Sequence, residues 1–307
     1  MSERFLQAPA KLNLALAVGP PDSDSMHPIC SWMVTVNLHD DLTVTRLADD
    51  RLSRYAILWH DTARQTSEID WPVQSDLAVR AHLALERYVG RKLPIQLKLE
   101  KRIPVGGGLG GGSSDAAAML RAVNDLFELD LTLHRLVEIG STLGSDVPFL
   151  ICGGSAIVEG MGERLKPLED LADAHFILAF PPEVCPTGRV YRAFDQLGGG
   201  PLRRDAVQRL VEERPLRSEA LFNDLTRAAI RIAPELEDHI AAIARVAERP
   251  AHLSGSGSTI FVPCDDAMHA EALALAIERR LEIPAVSATS TGRSVDAAPS
   301  PSDIGGL

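Results

Sequence analysis

The sequence predicts an α+β fold. Strand-like runs crowd between residues 10 and 60, and helical periodicities with single strands follow, without the regular strand–helix alternation of a doubly wound sheet. Hydrophobic residues make up 45% of the 307 and charged residues 24%, enough for a sizeable core and incompatible with disorder of the whole chain. Length alone is a prior of about two domains.

The elements follow in order. Ala10 to Val18 alternates as a strand, as does Trp32 to Leu38; Leu42–Leu47 and Ala56–His60 are shorter candidates. Asp76 reads as a helix N-cap, with Leu77, Ala81, Ala84, Leu85 and Tyr88 at helical spacing and Gly90 as the stop. Ile95, Leu97 and Leu99 alternate as a strand that runs into a glycine-rich segment. A helix is expected from about Asp115 through Met119, Leu120, Val123 and Phe127, and another from Thr132. Phe149–Val158 reads as a buried strand region broken by Gly153-Gly154, and His175–Phe180 as another buried strand. Pro234 suits the first position of a helix presenting Leu236, Ile240 and Ile243. His252–Val262 reads as two short strands around a Gly/Ser loop, and Ala267–Leu281 as a helix. Composition then shifts to Ser, Thr, Pro, Gly and Asp, so residues 293–307 are expected to form a disordered tail.

The net charge of −11 excludes a general nucleic-acid binder, because such a surface repels a phosphate backbone. A small anion remains possible, since it feels only its pocket. Cys30, Cys152, Cys185 and Cys264 are scattered without a Cys-x-x-Cys pair, which suits a reducing cytoplasm better than a disulfide scaffold or a zinc site. No apolar run is long enough for a membrane span, and Leu12–Val18 is too short for a signal peptide, so a cytoplasmic location is expected. Nothing in the chain speaks to oligomeric state.

The most informative segment is Pro104, Val105, Gly106, Gly107, Gly108, Leu109, Gly110, Gly111, Gly112, Ser113, Ser114. Six glycines among the seven residues 106–112 cost backbone entropy, and their use is close approach of bare N–H groups to a ligand. The segment follows a strand and opens a helix, whose N-terminus favours anions. Gly106-x-Gly108-x-x-Gly111 matches the dinucleotide fingerprint, but the second strand with its acidic end is missing, which disfavours a dehydrogenase. No P-loop lysine follows, so any cation for the phosphates comes from elsewhere in the chain.

Three separated motifs resemble the GHMP kinases: Pro9-Ala10-Lys11-Leu12-Asn13-Leu14, the Pro104–Ala117 segment, and Leu253-Ser254-Gly255-Ser256-Gly257-Ser258. Within that family the likeness is strongest to the branch acting on 4-diphosphocytidyl-2-C-methyl-D-erythritol. It is carried further by His27, Leu143–Pro148, Glu159–Glu163 and Phe222–Leu225. The resemblance implies a β-rich N-terminal domain (residues 1–160) and a ferredoxin-like C-terminal domain (161–292), with ATP and substrate between them. It implies ATP and Mg2+ as cofactors, and transfer of the γ-phosphate to the 2-hydroxyl of the methylerythritol part. By the same resemblance Asp146 is the catalytic carboxylate, Lys11 its partner, and Ser114 a metal ligand. Asn13, Met26, His27 and Tyr191 fall at substrate-contacting positions.

The chain departs from that branch where Asp24-Ser25-Met26-His27 stands in place of the usual Asp-Gly-Tyr-His, so an aromatic wall for cytosine is replaced by Met26. Asp76 stands where Asn is usual, and Arg204 and Arg209 read as solvated charges. Two alternatives remain open from the sequence: a kinase for another small alcohol such as homoserine, and a nucleotide-binding module without catalysis.

Overall fold

β1 (Glu3–Val18) and β2 (Ile29–Arg46) pair antiparallel from Glu3↔Thr45 to Val18↔Ile29 and form the spine of a seven-stranded sheet. The computed structural model describes residues 2–23, 25–171, 173–213 and 216–293. β3 (Arg54–Trp59) lies parallel to β4 (Ile95–Lys101), which pairs with the second half of β2. The first half of β2 pairs with β5 (Ser155–Gly160), which carries β6 (Arg164–Pro167). The two strands expected over Trp32–Leu38 and Leu42–Leu47 are therefore one. The polar His39-Asp40-Asp41 step looked like a break, yet Asp40 is fully buried and its charge is answered by Lys101.

Two register shifts between β1 and β2 matter. At the first, Asn37 and Leu38 of β2 fall between the partners of Pro9 and Ala10, beside that polar step; at the second, Leu14 is an extra residue of β1 between Asn13 and Ala15. The second shifts the side-chain phase by one residue. Leu12 and Leu14 enter one core cluster, while beyond the bulge Leu16 and Val18 enter the other. Lys11 and Asn13 thereby stand on the face opposite Leu12 and Leu14.

Helices cover the sheet. α1 (Leu77–Val89) begins at Asp76, whose carboxylate accepts from the Ala78 N–H at 2.9 Å, and ends at left-handed Gly90, as the sequence predicts. α2 (Gly111–Leu126) starts four residues earlier than expected, because the glycines themselves make its first turn. Phe127 is its C-cap rather than a helical residue. α3 (Leu133–Ser141) starts at Thr132 as expected. The run expected as a strand from Phe149 divides: α4 (Val147–Cys152) is a short helix, and only Ser155 onward is strand. A short uniformly apolar run fits either element, and here Pro148 in the first turn and the packing of α4 against α2 and α3 favour the helix.

The second half builds a four-stranded antiparallel sheet. It comprises β7 (His175–Ala179), then, beyond α5 (Thr187–Gln196), α6 (Arg204–Glu212), the two-residue β8 (Phe222–Asn223), α7 (Thr226–Ile232) and α8 (Glu235–Ala247), the strands β9 (His252–Leu253) and β10 (Ile260–Cys264), followed by α9 (Ala267–Leu281) and β11 (Ala285–Thr289). Strand order is β11-β7-β10-β9, and α8 and α9 make the two crossovers, which is the ferredoxin-like β-α-β-β-α-β arrangement. The halves interlock: β8 pairs parallel with β1, and Ser290 bridges to Val36. The expected boundary at residue 160 falls between β5 and β6, which pair with each other. Of the expected tail, Arg293 bridges to Gly153, and its guanidinium donates to the Leu168 carbonyl. Residues 294–307 lie outside the described residues.

Candidate active site

The three motifs that are far apart in sequence meet along the edge of β1. The Lys11 N–H donates to the Leu109 carbonyl at 2.9 Å, so the glycine-rich loop docks on the edge of β1 opposite β2. From the third motif, the Ser254 hydroxyl donates to the Gly108 carbonyl at 3.0 Å and the Thr259 N–H to the Gly107 carbonyl at 3.2 Å. Gly108 has φ +76°, and a Cβ there would lie 2.1 Å from the Ser254 carbonyl oxygen. Both the conformation and the contact exclude a side chain. Gly108→Ala is therefore expected to destabilise the fold by on the order of 3 kcal/mol, read by thermal melting.

Between the two halves lies a cleft of about 1070 Å³, lined by loop residues from Pro104 to Ser113 and by Lys11, Asn13 and Asp146. Asp146 occupies the N-cap position of α4 but makes no capping hydrogen bond. Its Oδ2 stands 3.7 Å from the Lys11 Nζ instead. Lys11 is almost fully buried, and its ammonium donates to Asn13 Oδ1 at 2.5 Å. The Asn13 amide in turn donates to the Ser31 hydroxyl at 2.8 Å. A lysine so enclosed has one orientation, and its charge is directed at the space beside the carboxylate. Ser113 lines the cleft, whereas Ser114 is buried beneath it and its hydroxyl has no partner among the described residues.

Across the cleft, the Thr187, Tyr191 and Asp195 positions of α5 face the cavity at a spacing of four. The His27 ring lies 5.0 Å from the Tyr191 ring between centroids, tilted by 47°. Burial and the nearby Asp146 push the Tyr191 phenol up to about 12, so it is an uncharged donor at neutral pH. Met26 also lines the cavity and is half exposed. Of the residues expected to be solvated, Arg204 pairs with Glu159 at 3.0 Å.

Behind the loop sits a buried charge cluster that the sequence did not announce. The Lys101 ammonium lies 2.5 Å from Asp40 Oδ2 and 2.6 Å from Asp115 Oδ2. Asp40 also accepts from the backbone N–H groups of Arg102 and Ile103, at 2.5 and 2.8 Å. The cluster thus ties the strand entering the glycine loop to the helix leaving it. Asp115 has Lys101 as its donor and its Oδ1 lacks a partner among the described residues, so burial drives its carboxyl well above the usual carboxylate range despite the lysine. In the folded chain Asp115 releases its proton at a higher pH than in the unfolded chain, so stability drains away as pH rises above the ordinary carboxylate range. Asp115→Asn removes that dependence. The variant's stability relative to the parent is expected to increase from pH 5 to pH 8 in paired melting curves.

Several cleft residues escaped the sequence reading. Trp71 lines the cavity from an irregular loop, and its indole N–H donates to Asp76 Oδ2 at 3.3 Å. No motif marks it. Asp195 could have been found as the residue one turn beyond Tyr191, had α5 been assigned. Lys101, at the end of an alternating strand, reads as an ordinary solvated position until Asp40 and Asp115 are placed around it.

Comparison with known proteins agrees with this fold. Residues 76–154 match the GHMP kinases N terminal domain, and residues 206–283 match the GHMP kinases C terminal domain. The chain is 36% identical over 276 residues to a 4-diphosphocytidyl-2-C-methyl-D-erythritol kinase of Streptomyces coelicolor, covering 88% of this chain and 90% of that one. A kinase of the same name from Thermobifida fusca is 36% identical over 278 residues, covering 89% and 90%. A crystal structure of a 4-(cytidine 5'-diphospho)-2C-methyl-D-erythritol kinase superimposes with a TM-score of 0.74 at 32% identity, over 94% of this chain and all of that one. A homoserine kinase from Cytophaga hutchinsonii shares the fold at 18% identity, with a TM-score of 0.67. With the three motifs joined in one cleft and relatives above 30% identity across most of its length, this chain belongs to the GHMP kinase family.

Proposed function

We propose that this chain transfers the γ-phosphate of ATP to the 2-hydroxyl of 4-diphosphocytidyl-2-C-methyl-D-erythritol, a step of non-mevalonate isoprenoid biosynthesis. The observation that carries the chemistry is the Lys11–Asp146 pair, 3.7 Å apart, on the same cleft as the bare-amide loop. Phosphoryl transfer is largely positioning and charge neutralisation. The loop amides and the start of α2 hold the ATP phosphates. Asp146 takes the proton of the attacking hydroxyl, and Lys11 stabilises charge on the transferring group. Asn13 fixes Lys11, and His27, Tyr191 and Met26 form the wall for the cytosine.

Mg2+ needs few protein ligands, because it keeps waters and takes phosphate oxygens. The residues fit it in that limited sense: Ser113 lines the cleft beside the loop, and the Ser114 hydroxyl, unpartnered among the described residues, is buried beneath it. When bound, Mg2+ supplies neutralisation of the phosphate charge. On this reading residues 1–160 bring the loop and Lys11, and residues 161–292 bring Tyr191. A cytoplasmic setting suits the four free cysteines. ADP release is the test, measured with the cytidine diphosphate compound, homoserine and mevalonate as acceptors. Turnover of the cytidine compound is expected. Turnover of homoserine without it would overturn the assignment.

A further inference from the structure

We propose that Asp195 is a positioning residue that sets the His27 tautomer, and through it the choice of cytosine over uracil; this rests on the substrate reading above. Asp195 Oδ1 lies 2.7 Å from His27 Nε2. An ionised carboxylate only accepts, so Nε2 carries the proton and donates. In the neutral ring that leaves Nδ1 with a lone pair, and Nδ1 makes no hydrogen bond among the described residues. The ring cannot easily turn to present its other edge. Its side chain is almost fully buried, Tyr191 lies against it at 5.0 Å, and the edge of Phe194 closes the other side at 6.0 Å. Asp195, Tyr191 and His27 all line the cleft.

A fixed acceptor selects a donor. The 4-amino group of cytosine offers an N–H to Nδ1, whereas uracil presents a carbonyl oxygen at that position and sets two lone pairs against each other. Sites built around one such hydrogen bond reject the mismatched partner strongly. Asp195 is part-exposed and touches no reacting atom, so its effect belongs on substrate affinity and base preference and not on the transfer step.

The experiment has two parts, both at pH 8, where an ordinary imidazole is neutral. Nitrogen-15 NMR of the wild-type protein is expected to show His27 protonated at Nε2, and Asp195→Ala to show a mixture of tautomers. Kinetics with the cytidine compound are expected to give Asp195→Ala a KM raised about fivefold to tenfold, with kcat and the KM for ATP unchanged. The preference for the cytidine over the uridine analogue falls by a similar factor. Asp195→Asn keeps a carbonyl acceptor and is expected to restore most of both. A proton on Nδ1 in the wild type would overturn the proposal. So would an Asp195→Ala variant with unchanged base preference, or one whose kcat and ATP affinity fall together with its melting temperature. If the wild type itself binds neither pyrimidine compound, the substrate reading fails and the base-selection role fails with it, while the NMR result still decides the tautomer.

Discussion

Asp146→Asn is expected to lower kcat by between about a hundredfold and ten-thousandfold, the range for loss of a positioned general base. The variant should fold. Asp146 makes no capping hydrogen bond to α4, and its side chain is 25% exposed, so the helix does not depend on it. Lys11 keeps its hydrogen bond to Asn13 and is not left as an unpaired buried charge. The KM for ATP should change little, because the loop amides are untouched. Steady-state ADP release and a melting curve check this together. Near-normal turnover from a folded variant would remove Asp146 from the chemistry. A matching collapse in stability would make it a structural residue.

Lys101→Met has the largest expected effect on stability. The methionine fills much of the same space but leaves Asp40 and Asp115, both essentially unexposed, without their shared cation. Breaking a buried pair by removing one partner typically costs about 3–5 kcal/mol. For a chain of this size that is a fall of about 10 °C in melting temperature. The sign with pH follows from the same cause. With the ammonium gone, the Asp115 carboxyl, already raised by burial, loses the charge that draws it down, so the loss should deepen as pH rises from 5 to 8. Asp115→Asn in the same chain should recover part of it. A Lys101→Met protein that melts like the parent would show that the cluster is not what holds the loop stems.

Much of the candidate site was legible because the phosphate binding proposed for it demands unusual local sequence. Six glycines before an apolar helix have few other uses, and Lys11 stands out as a charge inside an apolar strand. Asp146 was legible only through its motif, since a carboxylate after Gly-Ser is ordinarily a turn residue. What stayed hidden depended on burial. His39-Asp40-Asp41 looked like a strand end because nothing local shows that Lys101, 61 residues on, will neutralise Asp40. α4 looked like a strand because a six-residue apolar run carries no periodicity to distinguish the two. Trp71 and Asp195 belong to segments whose local pattern says nothing about a ligand.

The sequence by itself determined the α+β class, the capped helices α1 and α3, and the glycine-rich turn that opens α2, because capping, periodicity and glycine's conformational freedom act within a few residues. Only the tertiary structure decided that the loop, Lys11 and Asp146 share one cleft, that His27 is held by Asp195, and that Lys101 serves two carboxylates. Those are meetings of groups from 14 to 168 residues apart. Their energies come from burial and from the loss of competing water, which no stretch of sequence contains until the chain has closed around it.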